Sequence, residues 1–486
     1  MTTTVNLRKL LHRKSWESCT SCPVSSAAGS FIVNDRFNLL DGVGAVHVAG
    51  ASSIYMYTGS EDAWAQLPNS GIAGTFAAGA CGCLRGLGAM GGTFTQTATA
   101  GTTTTLTTNR TIVKQLKKCR VRVVAGTGVG YEGTISGNTI GANAVLTVTP
   151  ANGVAFDNTT QYQVFSGSLW FMNAGTAAVG FSVYDFATNA WTARSVTNLP
   201  TAWATAAKLI STIGSVSTIA TGTSTGSNTT TTLNNTGKAW ATNMWANYQV
   251  RITSGTGKGQ IRTVASNTST ALTVSAAWTV TPDATSVYSI EGNDDYMYLI
   301  GNAAVTMYRF SVSGNSWTVL SPVAARAGSA GAGVTANWIE SCAGWDQETQ
   351  IAHYSTTLYK QNGRYIYSFR GGAASTLDVY DIAANTWISG VSYGNKMETF
   401  STGSSAIDLD GVIYLNKEAT GRLFAFSVDC NCINPLATNT NQSALGGTAV
   451  VGDKIFVLPY EDGATKIDFL YAMRNSSSDM VRMLLI

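Results

Sequence analysis

Tyr380-Asp381-Ile382-Ala383-Ala384-Asn385-Thr386-Trp387 is the stretch on which the fold turns. An alternating strand ends at Tyr380, small and polar residues lead to Asn385, and Trp387 opens a return strand. Asn accepts the left-handed backbone of a tight turn, and strand side chains alternate in direction. The segment therefore reads as a hairpin with Tyr and Trp on its core side. The same seven-residue spacing joins Tyr184 to Trp191 (YDFATNAW), Tyr57 to Trp64 (YTGSEDAW) and Phe310 to Trp317 (FSVSGNSW). Such recurrence marks a structural repeat with these eight aromatic residues in its core.

A second hairpin is expected in each repeat. Residues 355–369 place a turn at Asn362-Gly363, residues 404–415 at Asp410-Gly411, and residues 447–458 at Gly452-Asp453. Two hairpins give four strands in about fifty residues, and six such units begin near residues 30, 75, 205, 350, 404 and 447. The pattern resembles the kelch repeat of β-propellers. Tyr184-Asp185, Tyr380-Asp381, Trp191, Trp387 and Gly371-Gly372 carry the resemblance. The fifth and sixth units lack the Trp, and the first lacks the Gly pair. The resemblance implies an all-β chain built as a six-bladed kelch-like β-propeller. It implies no activity, because propellers host unrelated functions.

Two copies of another module interrupt this pattern, at about 97–165 and 219–290. They share Thr102-Thr103-Thr104-Thr105-Leu106 with Thr229-Thr230-Thr231-Thr232-Leu233, and Val121-Arg122-Val123-Val124 with Val250-Arg251-Ile252-Thr253. Each continues through a Gly-rich turn and closes on Tyr162–Phe165 or Val287–Ile290. Gly91–Phe94 should turn directly into Ser168–Phe171, and Ala207–Ile210 into Asp295–Leu299, so each module replaces a hairpin turn. Hairpin tips tolerate insertion because loop-closure entropy grows slowly with length. Four or five short strands with few apolar residues should need an external packing partner. The expected division is an N-terminal arm 1–27, propeller 28–95, insert 96–166, propeller 167–212, insert 213–292 and propeller 293–486. Inserts in successive units should project as neighbours from one face.

In the arm, Leu7, Leu10 and Leu11 alternate with Arg8, Lys9, Arg13 and Lys14 ahead of Trp16. Exposed, these apolar side chains make little sense, which favours an arm docking on a neighbouring subunit over a solvated tail. The 486-residue chain carries only 12% charged residues, alongside 50 Gly, 12 Trp and 19 Tyr. That composition favours strands and a neutral polar surface suited to packing among partners. A net charge of +3 argues against general nucleic-acid binding. No apolar run reaches the length of a membrane span, and no apolar core follows the basic N-terminus as in a secretory signal.

Chemistry is sparse. Cys19/Cys22, Cys81/Cys83, Cys119, Cys342 and Cys430/Cys432 read as free buried thiols ahead of disulfides or a four-thiolate zinc site. His12, His47 and His353 lack metal-ligand spacing. There is no G-x-S-x-G elbow, and Gly126–Gly130 lies between strands, not before a phosphate-cradling helix. Glu61-Asp62 and Asp294-Asp295 fall in turns; Glu340 and Asp346, near Trp338 and Trp345, form the one aromatic–acid cluster resembling a glycosidase pair. No cofactor or metal is expected. The Thr/Ser/Gly-rich inserts resemble short β-domains of bacteriophage tail and fibre proteins. The tail nozzle of short-tailed phages is similar in using a propeller body within a ring of subunits. The resemblance implies a non-enzymatic virion protein, assembled in the bacterial cytoplasm into a cyclic homo-oligomer. An adaptor and fibres would be its partners, with DNA only as passing cargo. The alternative is a receptor- or glycan-binding propeller using Trp240, Trp245 and Trp278, and the third reading is a polysaccharide-active enzyme.

Overall fold

The computed structural model describes residues 17–24, 31–34, 43–49, 53–59, 61–73, 80–173, 179–199, 208–211, 218–300, 306–324, 332–336, 364–370, 375–392, 405–409, 412–417, 422–427, 432–435, 454–462, 465–473 and 480–485. Within them the chain is all-β, with no helix. Six sheets are four-stranded and antiparallel. The first comprises Phe31–Asn34, Val43–Ala49, Ser53–Thr58 and Ala63–Leu67. The second comprises Cys81–Arg85, Ser168–Asn173, Gly180–Asp185 and Ala190–Ala193, and the third Lys208–Ser211, Tyr296–Ile300, Met307–Ser311 and Ser316–Leu320. The fourth comprises Ala332–Ala336, Tyr365–Arg370, Thr376–Asp381 and Thr386–Ser392, and the fifth Ser405–Leu409, Val412–Lys417, Arg422–Ser427 and Cys432–Pro435. The sixth joins Lys454–Asp462, Thr465–Met473 and Met480–Leu485 to Glu17–Cys19 from the other end of the chain.

Each sheet packs on the next. Val46, Ile54 and Leu67 meet Leu84, Leu169 and Phe171 between the first and second sheets. Trp170 and Phe181 meet Met297, Phe310 and Trp317 between the second and third. Ile210, Tyr298 and Ile300 meet Ile366, Tyr380 and Trp387 between the third and fourth, and Phe369 and Val379 meet Ile413, Phe424 and Phe426 between the fourth and fifth. Ser405–Leu409 lies beside Lys454–Asp462, linking the fifth sheet to the sixth. Tyr57 then packs on Tyr471 and Met480, and Tyr55 on Met473, returning from the sixth sheet to the first.

The aromatic hairpins drive this packing. Tyr57 faces Trp64, Tyr184 faces Trp191, Phe310 faces Trp317 and Tyr380 faces Trp387 across the third and fourth strands of their sheets. Their ring centroids lie 5.0, 5.1, 5.0 and 5.2 Å apart at nearly constant tilt. Two residues before each Trp, Asp62, Asn189, Asn315 and Asn385 take φ of 49°, 54°, 45° and 47°. Asp and Asn are among the few non-glycine residues that occupy this region readily. Tyr57 donates to Asp62 Oδ1 (2.7 Å), Tyr380 to Asn385 Oδ1 (2.6 Å), and Tyr184 likewise to Asn189.

The same hairpins clasp the preceding sheet just past its outer strand. Trp64 Nε1 donates to Thr20 O (3.0 Å), Trp191 Nε1 to Pro68 O (2.7 Å) and Trp317 Nε1 to Ser195 O (3.0 Å). In return Thr20 N donates to Asp62 Oδ1 (2.9 Å) and Ser195 N to Asn315 Oδ1 (3.1 Å). At the fourth sheet backbone bonds from Trp387 N to Ala324 O (3.1 Å) and from Val323 N to Asn385 O (2.9 Å) join side-chain bonds from Asn385 Nδ2 to Ser321 O (3.0 Å) and from Ala324 N to Thr386 Oγ1 (3.1 Å).

The structure corrects several sequence expectations. Residues 1–27 are not wholly a separate arm, because Glu17–Cys19 pairs with Met480–Arg482 and Cys22 is buried. The C-terminal strands leave an open edge whose backbone groups need partners, and the N-terminal strand supplies them. Leu7, Arg8, Lys9, Leu10, Leu11, Arg13, Lys14 and Trp16 lie outside the described residues. The strand facing Ser168–Met172 is Cys81–Arg85, not 91–94. Gly91 and Gly92 have φ of 74° and 88°, which bends the chain away from any strand. Tyr367–Arg370 pairs with Ala332–Ala336 in place of the strand expected before Asn362-Gly363. Lys454–Asp462 pairs with Thr465–Met473, and the strand expected before Gly452-Asp453 lies outside the described residues. Residues 362–363 and 447–453 lie outside the described residues, as do Asp410 and Gly411, although the ladder flanking those two closes at Leu409 and Val412.

Two larger sheets stand between first and second strands, one in the second four-stranded sheet and one in the third. The first insert has seven strands: Gln96–Thr97, Ala100–Gly101, Thr105–Thr107, Arg120–Ala125, Glu132–Asn138, Val145–Thr149 and Gln161–Phe165. The second has six: Thr218–Thr223, Thr232–Asn234, Gln249–Ser254, Ile261–Asn267, Ala271–Val274 and Val287–Glu291. Apart from the extra Ala100–Gly101 strand their orders coincide, and bulges recur at Val123/Ala125 and Ile252/Ser254. Each has its own apolar core, around Leu106, Val121, Leu146 and Tyr162 in one and Leu233, Val250, Leu272 and Tyr288 in the other. Beyond these cores the first insert also packs on Met90 and Ala187 outside it, and the two inserts pack on each other.

Candidate functional site at the roots of the inserts

The two inserts meet through equivalent strands. Arg122 and Arg251 occupy matching positions in Val-Arg-Val and Val-Arg-Ile, and both are buried. Arg122 Nε binds Glu132 Oε1 at 2.6 Å within its own insert, and its Nη2 lies 3.2 Å from Glu291 Oε2 of the other. Arg251 Nη2 reaches Glu291 Oε1 at 2.8 Å and crosses to Glu132 Oε1 at 3.2 Å. Ser289 Oγ adds a bond to Glu291 Oε1 at 2.8 Å. Every guanidinium thus meets both carboxylates. Burial alone would raise the Glu132 carboxyl, but Arg122 and Arg251 outweigh it and hold the group below its ordinary range.

The Gly-rich turns interlock beside this cluster. Gly259, at φ 91°, packs its Cα face on Val129 and the Gly130 backbone, leaving no room for a side chain. Each turn is braced inside its own module by one Asp. Asp157 accepts from Thr127 Oγ1 (2.7 Å) and Thr159 N (2.8 Å); Asp283 accepts from Thr256 Oγ1 (2.7 Å) and Thr285 N (2.8 Å). These hydrogen bonds to the charged form hold both carboxyls below their ordinary range.

A cleft of about 800 Å³ is bounded by both inserts and by the second and third four-stranded sheets. Thr93, Phe94 and Thr95 line it at the root of the first insert; Gln249, Arg262 and Thr279 line it from the second. Arg85 and Arg194 line it with positive charge, and Asp294 and Asp295 line it beside them. Asp295 is occupied by Ser311 Oγ and Ser313 N, both at 2.6 Å. Arg194 donates to Gly92 O (3.2 Å) and Val312 O (3.0 Å). Arg85 is 2% exposed, and its Nε and Nη1 have no hydrogen-bond partner. Its guanidinium lies 5.6 Å from the centre of the Phe94 ring, which Arg194 approaches to 5.7 Å.

Trp240, Trp245 and Trp278 are 3%, 0% and 4% exposed, in the core of the second insert. They are corrected from a partner or glycan surface to packing residues, because the turns and loops that carry them fold over the sheet and bury them against Val250 and Leu272. Tyr57, Tyr184, Phe310 and Tyr380 are buried with Trp191, Trp317 and Trp387, and Trp64 is half-buried. Cys19, Cys22, Cys81, Cys83 and Cys119 take part in no disulfide. Among the described residues no group of His, Cys, Asp or Glu could hold a metal ion, and no helix is long and apolar enough to cross a membrane. Glu340, Asp346, Trp338, Trp345, His353, Cys342 and Cys430 lie outside the described residues. Sequence reading missed the Arg122–Glu132–Arg251–Glu291 cluster and the Arg85–Arg194 wall. The signal for the first was a cation between apolar residues at one position of both copies.

No family model and no curated protein matches the chain. Among solved structures it is similar to U3-55K, with 8% identity, 97% of this chain and 98% of that chain covered, and a TM-score of 0.35. It is also similar to an auxiliary nutrient binding protein from Bacteroides thetaiotaomicron (9% identity, 77% and 64% covered, TM-score 0.22). A third is a phage phi92 endosialidase (10% identity, 93% and 59% covered, TM-score 0.23).

Proposed function

We propose that the six four-stranded sheets are the blades of one kelch-like β-propeller, and that the chain is a non-enzymatic structural protein of a bacteriophage virion. In this reading it is a tail component of nozzle type, assembled as a ring around the DNA exit channel. The observation that carries the reading is the joining of two β-modules through a largely buried four-residue ion cluster. A contact between modules that is buried and charge-matched resists bending, which suits a part that must hold a neighbour in fixed orientation. The clasps from one sheet to the next serve the same end, since they tie Trp and Asn side chains to backbone rather than leaving them for chemistry. Repeated heterologous contacts between identical stiff subunits close into a ring when the rotation from one to the next closes. Residues 7–16 are assigned to docking on the neighbouring subunit, with an adaptor and fibres as further partners.

Mass photometry of the purified full chain, alone and with portal-associated tail proteins, tests this. Discrete ring masses that vanish when residues 1–16 are removed are expected. A chain that stays monomeric at every concentration and binds no tail protein contradicts it.

A further inference from the structure

We infer that the cleft between the insert roots binds a carboxylate-bearing saccharide, with Arg85 as the group that receives the carboxylate. The inference starts from two buried donors of one guanidinium. Arg85 is almost wholly enclosed, yet its Nε and Nη1 donate to nothing. Buried polar groups in native proteins are almost always hydrogen-bonded, and a guanidinium has a fixed fork that fits a carboxylate. The second cation, Arg194, is held by two backbone carbonyls and leaves its Nε free, so it adds charge without neutralising Arg85. Asp294 and Asp295 line the same region and partly offset the Arg85 charge, but neither bonds its Nε or Nη1, and Asp295 is engaged by Ser311 and Ser313. Burial depresses the Arg85 guanidinium below its ordinary range, which an incoming anion would reverse.

The remaining wall sets the class of ligand. Thr93, Thr95, Gln163, Gln249 and Thr279 present hydroxyls and amides from both inserts. Such groups suit a polyhydroxylated ligand, while Phe94 is already stacked on Trp170 at 5.7 Å. The volume, about 800 Å³, lies in the range of small-molecule sites and accommodates a disaccharide. The site is independent of subunit assembly, so it stands or falls separately from the ring.

Isothermal titration of the full chain with a glucuronate-containing disaccharide, its neutral counterpart and sodium sulfate tests the assignment. The acidic disaccharide should bind at least tenfold more tightly than the neutral one or sulfate. Arg85→Gln should remove at least tenfold of that affinity. Should Arg85→Gln lose the native melting transition, Gln163→Ala provides the second variant. Its amide is half-buried and bonds the Thr95 hydroxyl (3.2 Å), and its loss should weaken binding severalfold. Equal affinity for sulfate marks an adventitious ion only and overturns the inference. So does absent binding, or binding that a folded Arg85→Gln or Gln163→Ala variant leaves unchanged.

Discussion

Trp317 shows how one side chain joins two sheets. Its ring packs on Phe310 and Phe181 while its indole N–H reaches Ser195 O. Trp317→Phe keeps most of the packing and should cost about 1 kcal/mol for the lost hydrogen bond, whereas Trp317→Ala should cost about 3–5 kcal/mol through the cavity. Urea titration of each variant measures both. In the ion cluster, Glu291 is fully enclosed and Glu132 is a third exposed. Glu291→Gln leaves two buried guanidinium groups to share the Glu132 carboxylate and should destabilise the insert pair by about 3 kcal/mol, and Glu132→Gln by less. Because the Glu132 carboxyl is held below its ordinary value, its stabilisation is complete above about pH 4.5 and is lost as pH falls through the lower folded value. Melting temperature followed on acidification should drop in the parent and flatten over that window in Glu132→Gln.

Within the inserts, a turn and its brace act together as one element. Gly126 has φ 74°, and a Cβ there would run into the Thr159 carbonyl; Gly255 stands in the same relation to Thr285. Gly126→Ala should therefore cost more than about 2 kcal/mol, combining left-handed strain with the clash. Gly137→Ala, with open space around it, should change stability by less than about 1 kcal/mol. Hydrogen exchange of Arg120–Ala125 reports both. These elements divide what the sequence reveals from what it hides. Tyr–Trp spacing and the matched insert strands were legible because side-chain period and turn chemistry are local. The partner of Ser168–Met172 was not: Gly91-Gly92 looked like a strand end, and only the positive φ of both residues turns it into a bend. Trp240, Trp245 and Trp278 resemble a binding surface in sequence because all three lie between strands, where no side-chain period says which way a residue points. Arg85 was invisible for a further reason: its missing partner is a property of three-dimensional neighbours, not of the residues beside it.

On the scale of the whole molecule, the succession of sheets returns to its start through Glu17–Cys19, whose clasp runs from Thr20 to Asp62 and Trp64. Removing residues 1–24 should expose the Met480–Leu485 edge, lower the melting temperature and split the unfolding transition, since the first and sixth sheets lose their shared strand and clasp. Removing residues 1–16 alone should leave melting unchanged and abolish assembly. Cryo-electron microscopy of the purified full chain tests closure and assembly together. The expected density is a ring of subunits, each with six four-stranded sheets about one axis, Glu17–Cys19 outermost on the C-terminal sheet, and both inserts fused into one projection. Isolated subunits whose sheets form an open stack, with the N-terminal strand away from Met480–Leu485, would contradict it.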